Sequence, residues 1–245
     1  MLTVPTLDKL RELRLHGMVK AFEEQLAGTE FGELTFEERL GVMVDRELIE
    51  RENRRLKSRL KTAKLRQQAC MEDIDYRHPR GLDKSLMMSL YTCQWIREHL
   101  NILITGPTGV GKSFIACAFG HRSCLSGFKV LYFRGPRLFQ DIALARGDGR
   151  YNKVMNTIAK THVIVIDDWG LSSLTDQEQR DFLEILEDRH GIHSTIISSQ
   201  VPLDHWHELM ENPTLSDAIL DRLIHNAYKI NLEGDSMRKI KSKLT

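Results

Sequence analysis

The sequence holds no apolar run approaching the ~18 residues that a membrane span requires, so no bilayer crossing and no membrane partner are expected. The segment Met1 to Leu10 carries Asp8 and Lys9 in an amphipathic pattern. It lacks a basic stretch followed by an apolar core, so no secretory signal is read there and a cytoplasmic location is expected. Cysteine is scarce. Cys70, Cys93, Cys117 and Cys124 share no Cys-x-x-Cys spacing and stand at no finger-like distance from a histidine, which argues against a thiolate zinc site. They read as buried free thiols. Glycine and proline are missing from Val42 through Tyr76, and the chain shows neither an internal repeat nor a low-complexity tract. Net charge is nearly absent too, at +1.

That near-neutrality is the sum of unlike segments. Residues 1–50 hold 6 Lys or Arg against 11 Asp or Glu. Residues 51–66 then hold eight cations, Arg51, Arg54, Arg55, Lys57, Arg59, Lys61, Lys64 and Arg66, against the single acid Glu52. From Leu7, the apolar residues Leu10, Leu13, Met18, Phe22 and Leu26 recur at helical spacing and predict one helix, broken by Gly28 and Gly32. Thr35-Phe36-Glu37-Glu38 has the form of a capping box, and Leu40, Met43, Val44 and Leu48 continue a second helix from it. With no glycine or proline to stop it, this helix is expected to carry the basic run as an exposed face. His78-Pro79-Arg80-Gly81 punctuates the chain, which predicts a small all-α domain over 1–75 and a larger domain over 76–245.

Beyond Asp83 the pattern becomes α/β. Ile102–Thr105, Val130–Phe133, Val163–Asp167, Thr195–Ser199 and Tyr228–Leu232 read as five strands alternating with helices, which implies a parallel, doubly wound sheet. Directly after the first strand and before a helical stretch, Gly106-Pro107-Thr108-Gly109-Val110-Gly111-Lys112-Ser113 fits G-x-x-x-x-G-K-[ST]. Glycines let phosphate oxygens approach several backbone N–H groups, and the following helix N-terminus adds a favourable field. Lys112 would neutralise the outer phosphates, and the Ser113 hydroxyl suits Mg²⁺, which prefers hard oxygen ligands. Val163-Ile164-Val165-Ile166-Asp167-Asp168 reads as a buried strand delivering two acids to the carboxyl edge of the sheet. Asp167 would hold the magnesium and Asp168 would orient or deprotonate an attacking water. A later strand is expected to lie between these two in space. Its end, Ser198-Ser199-Gln200, would bring Ser199 or Gln200 to the outermost phosphate or the water, unless those residues only cap the strand. Arg222, at the far end of a helix over 217–222, either completes a neighbouring subunit's site or pairs within its helix with Asp217 or Asp221.

With these motifs in place, the whole chain resembles the IstB-like ATP-binding proteins, transposition helpers of the AAA+ superfamily related to the helicase loader DnaC. The resemblance rests on the phosphate loop and on Thr92-Cys93-Gln94-Trp95-Ile96, Ile166-Asp167-Asp168-Trp169-Gly170, Ser198-Ser199-Gln200-Val201-Pro202, Asp204-His205-Trp206-His207-Glu208 and Asp221-Arg222-Leu223. Phe36-Glu37-Glu38-Arg39-Leu40 and Arg51-Glu52-Asn53-Arg54-Arg55 extend it into the N-terminal region. It implies a P-loop NTPase of AAA+ type that binds ATP and Mg²⁺, forms a homo-oligomer with active sites at subunit interfaces, assembles on double-stranded DNA and recruits a cognate transposase. It also implies that Ser199 is a first sensor and Arg222 a trans-acting arginine finger, and it leaves Arg238 as a second sensor or a solvated tail residue. Many members of the superfamily carry Glu where Asp168 stands, and the shorter acid predicts slow hydrolysis.

For DNA, the basic helix face is the first candidate, through Arg51, Arg54, Arg55, Lys57, Arg59 and Lys61, with backbone contacts that weaken steeply with salt. A solvated charged helix is the bland alternative. Arg134 and Arg137, with Arg146 and Arg150, form a second candidate. His190 and His193, or His205 and His207, have metal-like spacings but no third ligand in sequence. Trp95, Trp169 and Trp206 read as packing anchors. A helicase loader acting on single-stranded DNA, or a small-molecule kinase on the same loop, would be the competing functions; neither an acceptor pocket nor an arginine-rich lid for a kinase is evident.

Overall fold

Residues 3–28 and 31–237 are described by the computed structural model. They fall into two compact units, Met1–Ser58 and Arg59–Thr245.

The first unit contains helices α1 Thr3–Glu12 and α2 His16–Ala27 and most of α3 Phe36–Ala63. The single helix expected from Leu7 to Leu26 is in fact two, because Arg14 takes a left-handed conformation with φ 57°. The restart is fixed by Glu47 of α3. Its carboxylate accepts from the backbone N–H groups of Gly17 at 2.6 Å and Met18 at 3.3 Å, satisfying donors that α2 would leave open. Gly17 is required there, since a Cβ would lie 2.5 Å from Glu47 Cα. Burial opposes ionisation of Glu47, yet hydrogen bonds from Arg51, Gly17 and Met18 outweigh it and hold the carboxyl below its usual range. The capping box at Thr35 forms as read: Thr35 N–H donates to Glu38 at 2.8 Å and Glu38 N–H donates to Thr35 Oγ1 at 3.3 Å.

Helix α3 stops at Ala63 instead of running on toward Tyr76, so Lys64 and Arg66 lie beyond the helical face. Lys64 has φ 51°, and the chain then turns to bury Ala69, Met71 and Ile74. Tertiary burial of these apolar side chains outweighs the local helix signal. The compact units accordingly divide before Arg59, earlier in the chain than the expected 75/76 boundary. Arg59 donates to Cys124 O at 2.9 Å within the second unit.

The second unit continues with α4 Lys84–Tyr91, α5 Gln94–Arg97, β1 Asn101–Thr105, α6 Lys112–Leu125, β2 Val130–Arg134, α7 Gly135–Gly147, α8 Tyr151–Ala159, β3 Val163–Trp169, α9 Asp176–Arg189, β4 Ser194–Ser199, α10 Pro213–Ile224 and β5 Ala227–Asn231. The five strands form one parallel sheet in the order β2-β3-β4-β1-β5. This is the α/β architecture read from the sequence, with β4 between the phosphate-loop strand and the acidic strand. Central strands β1, β3 and β4 are almost entirely buried, consistent with helices covering both faces. Trp169 and Trp206 stack in one core cluster with Phe139 and Phe182, and Trp95 meets Phe119 edge-on. All three tryptophans are therefore packing residues. The four cysteines are free, and three of them are buried. Among the described residues no helix is long and apolar enough to cross a membrane. Arg238 lies outside the described residues.

Candidate functional site

The sheet ends β1 at Thr105 and α6 begins at Lys112, so Gly106 to Gly111 must reverse the chain in six residues. Two glycines make that turn feasible. Gly106 has φ +142° and a Cβ there would sit 2.2 Å from Leu232 O; Gly111 has φ +106° and a Cβ would sit 2.6 Å from Arg80 NH1. Arg80 braces the loop from below. It is 5% exposed, donates from Nη1 to Val110 O at 2.8 Å and from Nη2 to Asp75 O at 2.7 Å, and its buried Nε has no hydrogen-bond partner among the described residues. The chain after β5 supports the loop as well, through Leu232 N–H to Thr105 O at 2.8 Å and Met237 N–H to Gly109 O at 3.0 Å. Lys112 directs its ammonium at the loop's own carbonyls, Gly106 O at 2.7 Å and Pro107 O at 2.8 Å, and Thr108 donates to Gln200 Oε1 at 2.6 Å.

Asp167 is fully buried and accepts from several side chains at once. Ser113 Oγ donates to its Oδ1 at 2.9 Å and the Ser198 hydroxyl to the same oxygen, while Tyr132 OH donates to Oδ2 at 2.6 Å. Burial and the adjacent Asp167 carboxylate push the Tyr132 phenol well up, so it remains a donor at every physiological pH. Asp168 follows in a left-handed conformation, φ 60°, at an irregularity in the β3·β4 ladder between Ile166 and Trp169. β3 therefore does not end in the two acids but passes through them. Arg66 NH1 reaches Asp168 Oδ2 at 3.2 Å and Asp167 Oδ2 at 3.5 Å, and Arg134 Nε reaches Asp168 Oδ2 at 3.0 Å.

A cavity of about 480 Å³ opens over this constellation. Its lining includes Thr108, Gly109, Lys112, Ser113, Asp168 and Gln200, together with Asp73, Asp75, Arg77, Arg80, Phe114 and Met237. Its size suits a nucleotide. Paired hard oxygens from Ser113 and Asp167, with Lys112 adjoining, fit the donor set that Mg²⁺ selects.

The remaining residues named from sequence are distributed differently. The Ser199 hydroxyl is fully buried, donates to Trp169 O at 2.8 Å and accepts from Val201 N–H at 3.0 Å, while Ser198 and Gln200 reach the site in its place. Arg222 is at the opposite, amino-terminal edge of the sheet, where its carbonyl accepts from the Asn101 side chain. Its guanidinium pairs with Glu187 at 2.8 Å and with Ala218 O at 2.9 Å, not with Asp217 or Asp221. Among the basic residues, Arg51 and Arg54 face Glu47 at 2.6 and 3.5 Å, and Arg55 lies 3.9 Å from Glu52. Lys57, Lys61 and Lys64 are exposed and form no ion pair among the described residues. Arg137 pairs with Asp141 at 4.0 Å, Arg146 with Asp181, and Arg150 with Asp148 at 2.8 Å. His205 meets Glu208 at 2.9 Å and His207 meets Ser216 at 3.1 Å.

Tyr132, Ser198, Arg66 and Arg80 were not singled out as site residues by sequence reasoning. For Tyr132 a signal existed: it lies two residues before the end of β2, the strand that pairs with β3. Arg66 and Arg80 sit in irregular chain, where no periodicity indicates direction.

Comparison with known proteins agrees with this geometry. A protein of Sinorhizobium fredii named as an insertion sequence ATP-binding protein, y4pL, is 52% identical over 98% of both chains. A Pseudomonas fluorescens protein named for ATP binding in insertion sequence IS1162 is 46% identical over 82% of this chain and 88% of its own. Among solved structures, the DnaC helicase loader matches with TM-score 0.55 at 19% identity, covering 67% of this chain and 96% of that one, a likeness of fold. A phosphate loop on a parallel sheet of this order, and a match of residues 8–245 to the family model described as IstB-like ATP binding protein, lead to one conclusion: the chain belongs to that family.

Proposed function

We propose that this protein is an ATP-dependent DNA-binding helper of transposition, which hydrolyses ATP slowly, oligomerises on double-stranded DNA and recruits and stimulates its transposase. The observation that carries the reading is the contact of Ser113 with Asp167 at 2.9 Å beside a glycine-lined loop and a nucleotide-sized cavity. Gly106 to Ser113 bind the phosphates by backbone N–H groups, and Lys112 leaves its loop carbonyls for the outer phosphates. Ser113 and Asp167 would hold Mg²⁺, which when bound supplies charge neutralisation between those phosphates. Asp168 would orient the attacking water, and Gln200, tethered to Thr108, would stand at the mouth of the same cavity. Ser199 would act through the strand end rather than by direct contact.

Arg222 stands too far round the sheet to serve its own phosphate loop, which supports its role as a finger for a neighbouring copy. The insertion-sequence names of relatives similar along nearly the whole chain support the transposition context. Lys57, Lys61 and Lys64 would contact the DNA backbone, a term that releases counterions and weakens with salt. The unit over 1–58 would contribute DNA or subunit contacts, and 59–245 the ATPase. Sizing the protein on duplex DNA with ATP, with ADP and with neither tests the reading. A large complex that requires ATP is expected. A monomer under all three conditions, or a complex formed only on single-stranded DNA with a helicase, would overturn it.

A further inference from the structure

We propose that Arg66 senses the terminal phosphate from within the same chain: it bridges Asp167 and Asp168 and would exchange that contact for the outermost phosphate of bound ATP. This deepens the ATP reading above and rests on it. Three observations carry it.

First, Arg66 NH1 contacts both acids, at 3.2 Å to Asp168 Oδ2 and 3.5 Å to Asp167 Oδ2, although its side chain remains 41% exposed. Second, Asp168 Oδ2 is shared, because Arg134 also donates to it at 3.0 Å. Two guanidiniums on one oxygen occupy Oδ2 and leave Asp168 its Oδ1 for orienting a water, so release of Arg66 would free acceptor capacity on this acid. Third, Lys112, which lines the cavity, and Arg66, on the cavity-lining Asp168, both rest on the protein's own oxygens: Lys112 on Gly106 O and Pro107 O, Arg66 on the carboxylates. Each is placed to exchange an internal acceptor for a phosphate.

The exchange follows from charge. A divalent cation held at Asp167 would stand close to the Arg66 guanidinium, and like charges at that range in a partly buried site repel strongly. Arg66 must leave Asp167, and the strongest new acceptor beside Asp168 is the phosphate farthest from the nucleoside, which ADP lacks. A planar fork of donors suits a phosphate oxygen pair better than an ammonium does. Arg66 also follows the exposed Lys61 and Lys64 closely in the chain. Its transfer would displace the segment that carries them, so the basic stretch would register which nucleotide is bound.

The test compares Mg·ATP and Mg·ADP affinities, by calorimetry, for the full chain, Arg66→Gln and Arg66→Lys, with circular dichroism checking the fold. Removing one charge-assisted contact should weaken ATP by about 10- to 100-fold and leave ADP within about twofold, with Arg66→Lys between the two. Equal losses for both nucleotides would make Arg66 a general structural brace and overturn the proposal. Unchanged affinities for both would do the same. If the unmodified chain bound neither nucleotide, the ATP reading itself would fall and take this inference with it; if it bound both and only the variant data were flat, the ATP reading would stand alone.

Discussion

The phosphate loop and the basic stretch 51–66 were both conspicuous in the sequence, and the structure treats them in opposite ways. The loop is a single device in which every residue from Gly106 to Ser113 serves one turn, closed in by Arg80, Leu232 and Met237. The basic stretch dissolves into separate duties. Arg51 and Arg54 face a buried glutamate, Arg59 holds a carbonyl of α6, Arg66 bridges two acids, and Arg55, Lys57, Lys61 and Lys64 are turned to solvent. A backbone-geometry motif constrains its residues jointly, whereas a charge run constrains only their sum, and each member finds its own partner.

The sharpest way to break that contrast is at the loop. Lys112→Ala should lower Mg·ATP affinity by about 100-fold or more, since it removes a charge-assisted contact from a partly buried site. Calorimetry would show it, and a loss under about threefold would mean the loop is not acting as one device. The next effect concerns the basic stretch as structure. Glu47→Ala should destabilise the 1–58 unit by about 2 kcal/mol, by uncapping α2 and leaving the Gly17 and Met18 N–H groups without their acceptor, as read by hydrogen exchange of the α2 amides. Because the folded Glu47 carboxyl titrates below its usual 4.5, its contribution is complete above that pH and is lost as pH falls through the depressed value. The gap between wild type and variant should therefore close in acid. The smallest effect separates the duties within the run. Replacing Lys57, Lys61 and Lys64 with Glu should weaken duplex binding about tenfold and flatten its salt slope by about 0.9 per lost phosphate contact. Arg51→Gln with Arg54→Gln should mainly lower stability. If that pair instead weakened DNA binding more than the lysines, with stability unchanged, the division drawn here would be wrong.

What was legible in the sequence follows the range of the forces involved. The strands, the loop and the capping box at Thr35 depend on neighbours within a few residues, and they form where they were read, with β3 running on through the acids to Trp169. The position of β4 between β1 and β3 was legible too, because the acidic strand had to reach the loop's side of the sheet. The break at Arg14 and the stop at Ala63 were not, since they depend on Glu47 reaching across to α2 and on apolar side chains burying far along the chain. The choice between Ser198 and Ser199 turned on one residue of register. An irregular step in the ladder at Asp167 and Asp168 gives the polar contact to Ser198, and alternation along an ideal strand does not reveal such a step.

That step also accounts for which acid stands there. A positive φ is tolerated far better by aspartate and asparagine than by longer or branched side chains, so with φ 60° at position 168 the peptide geometry itself favours aspartate over glutamate. The shorter acid then need not reflect tuning of a reaction: the main chain accounts for it, and the slow hydrolysis proposed above would be inherited from a kink.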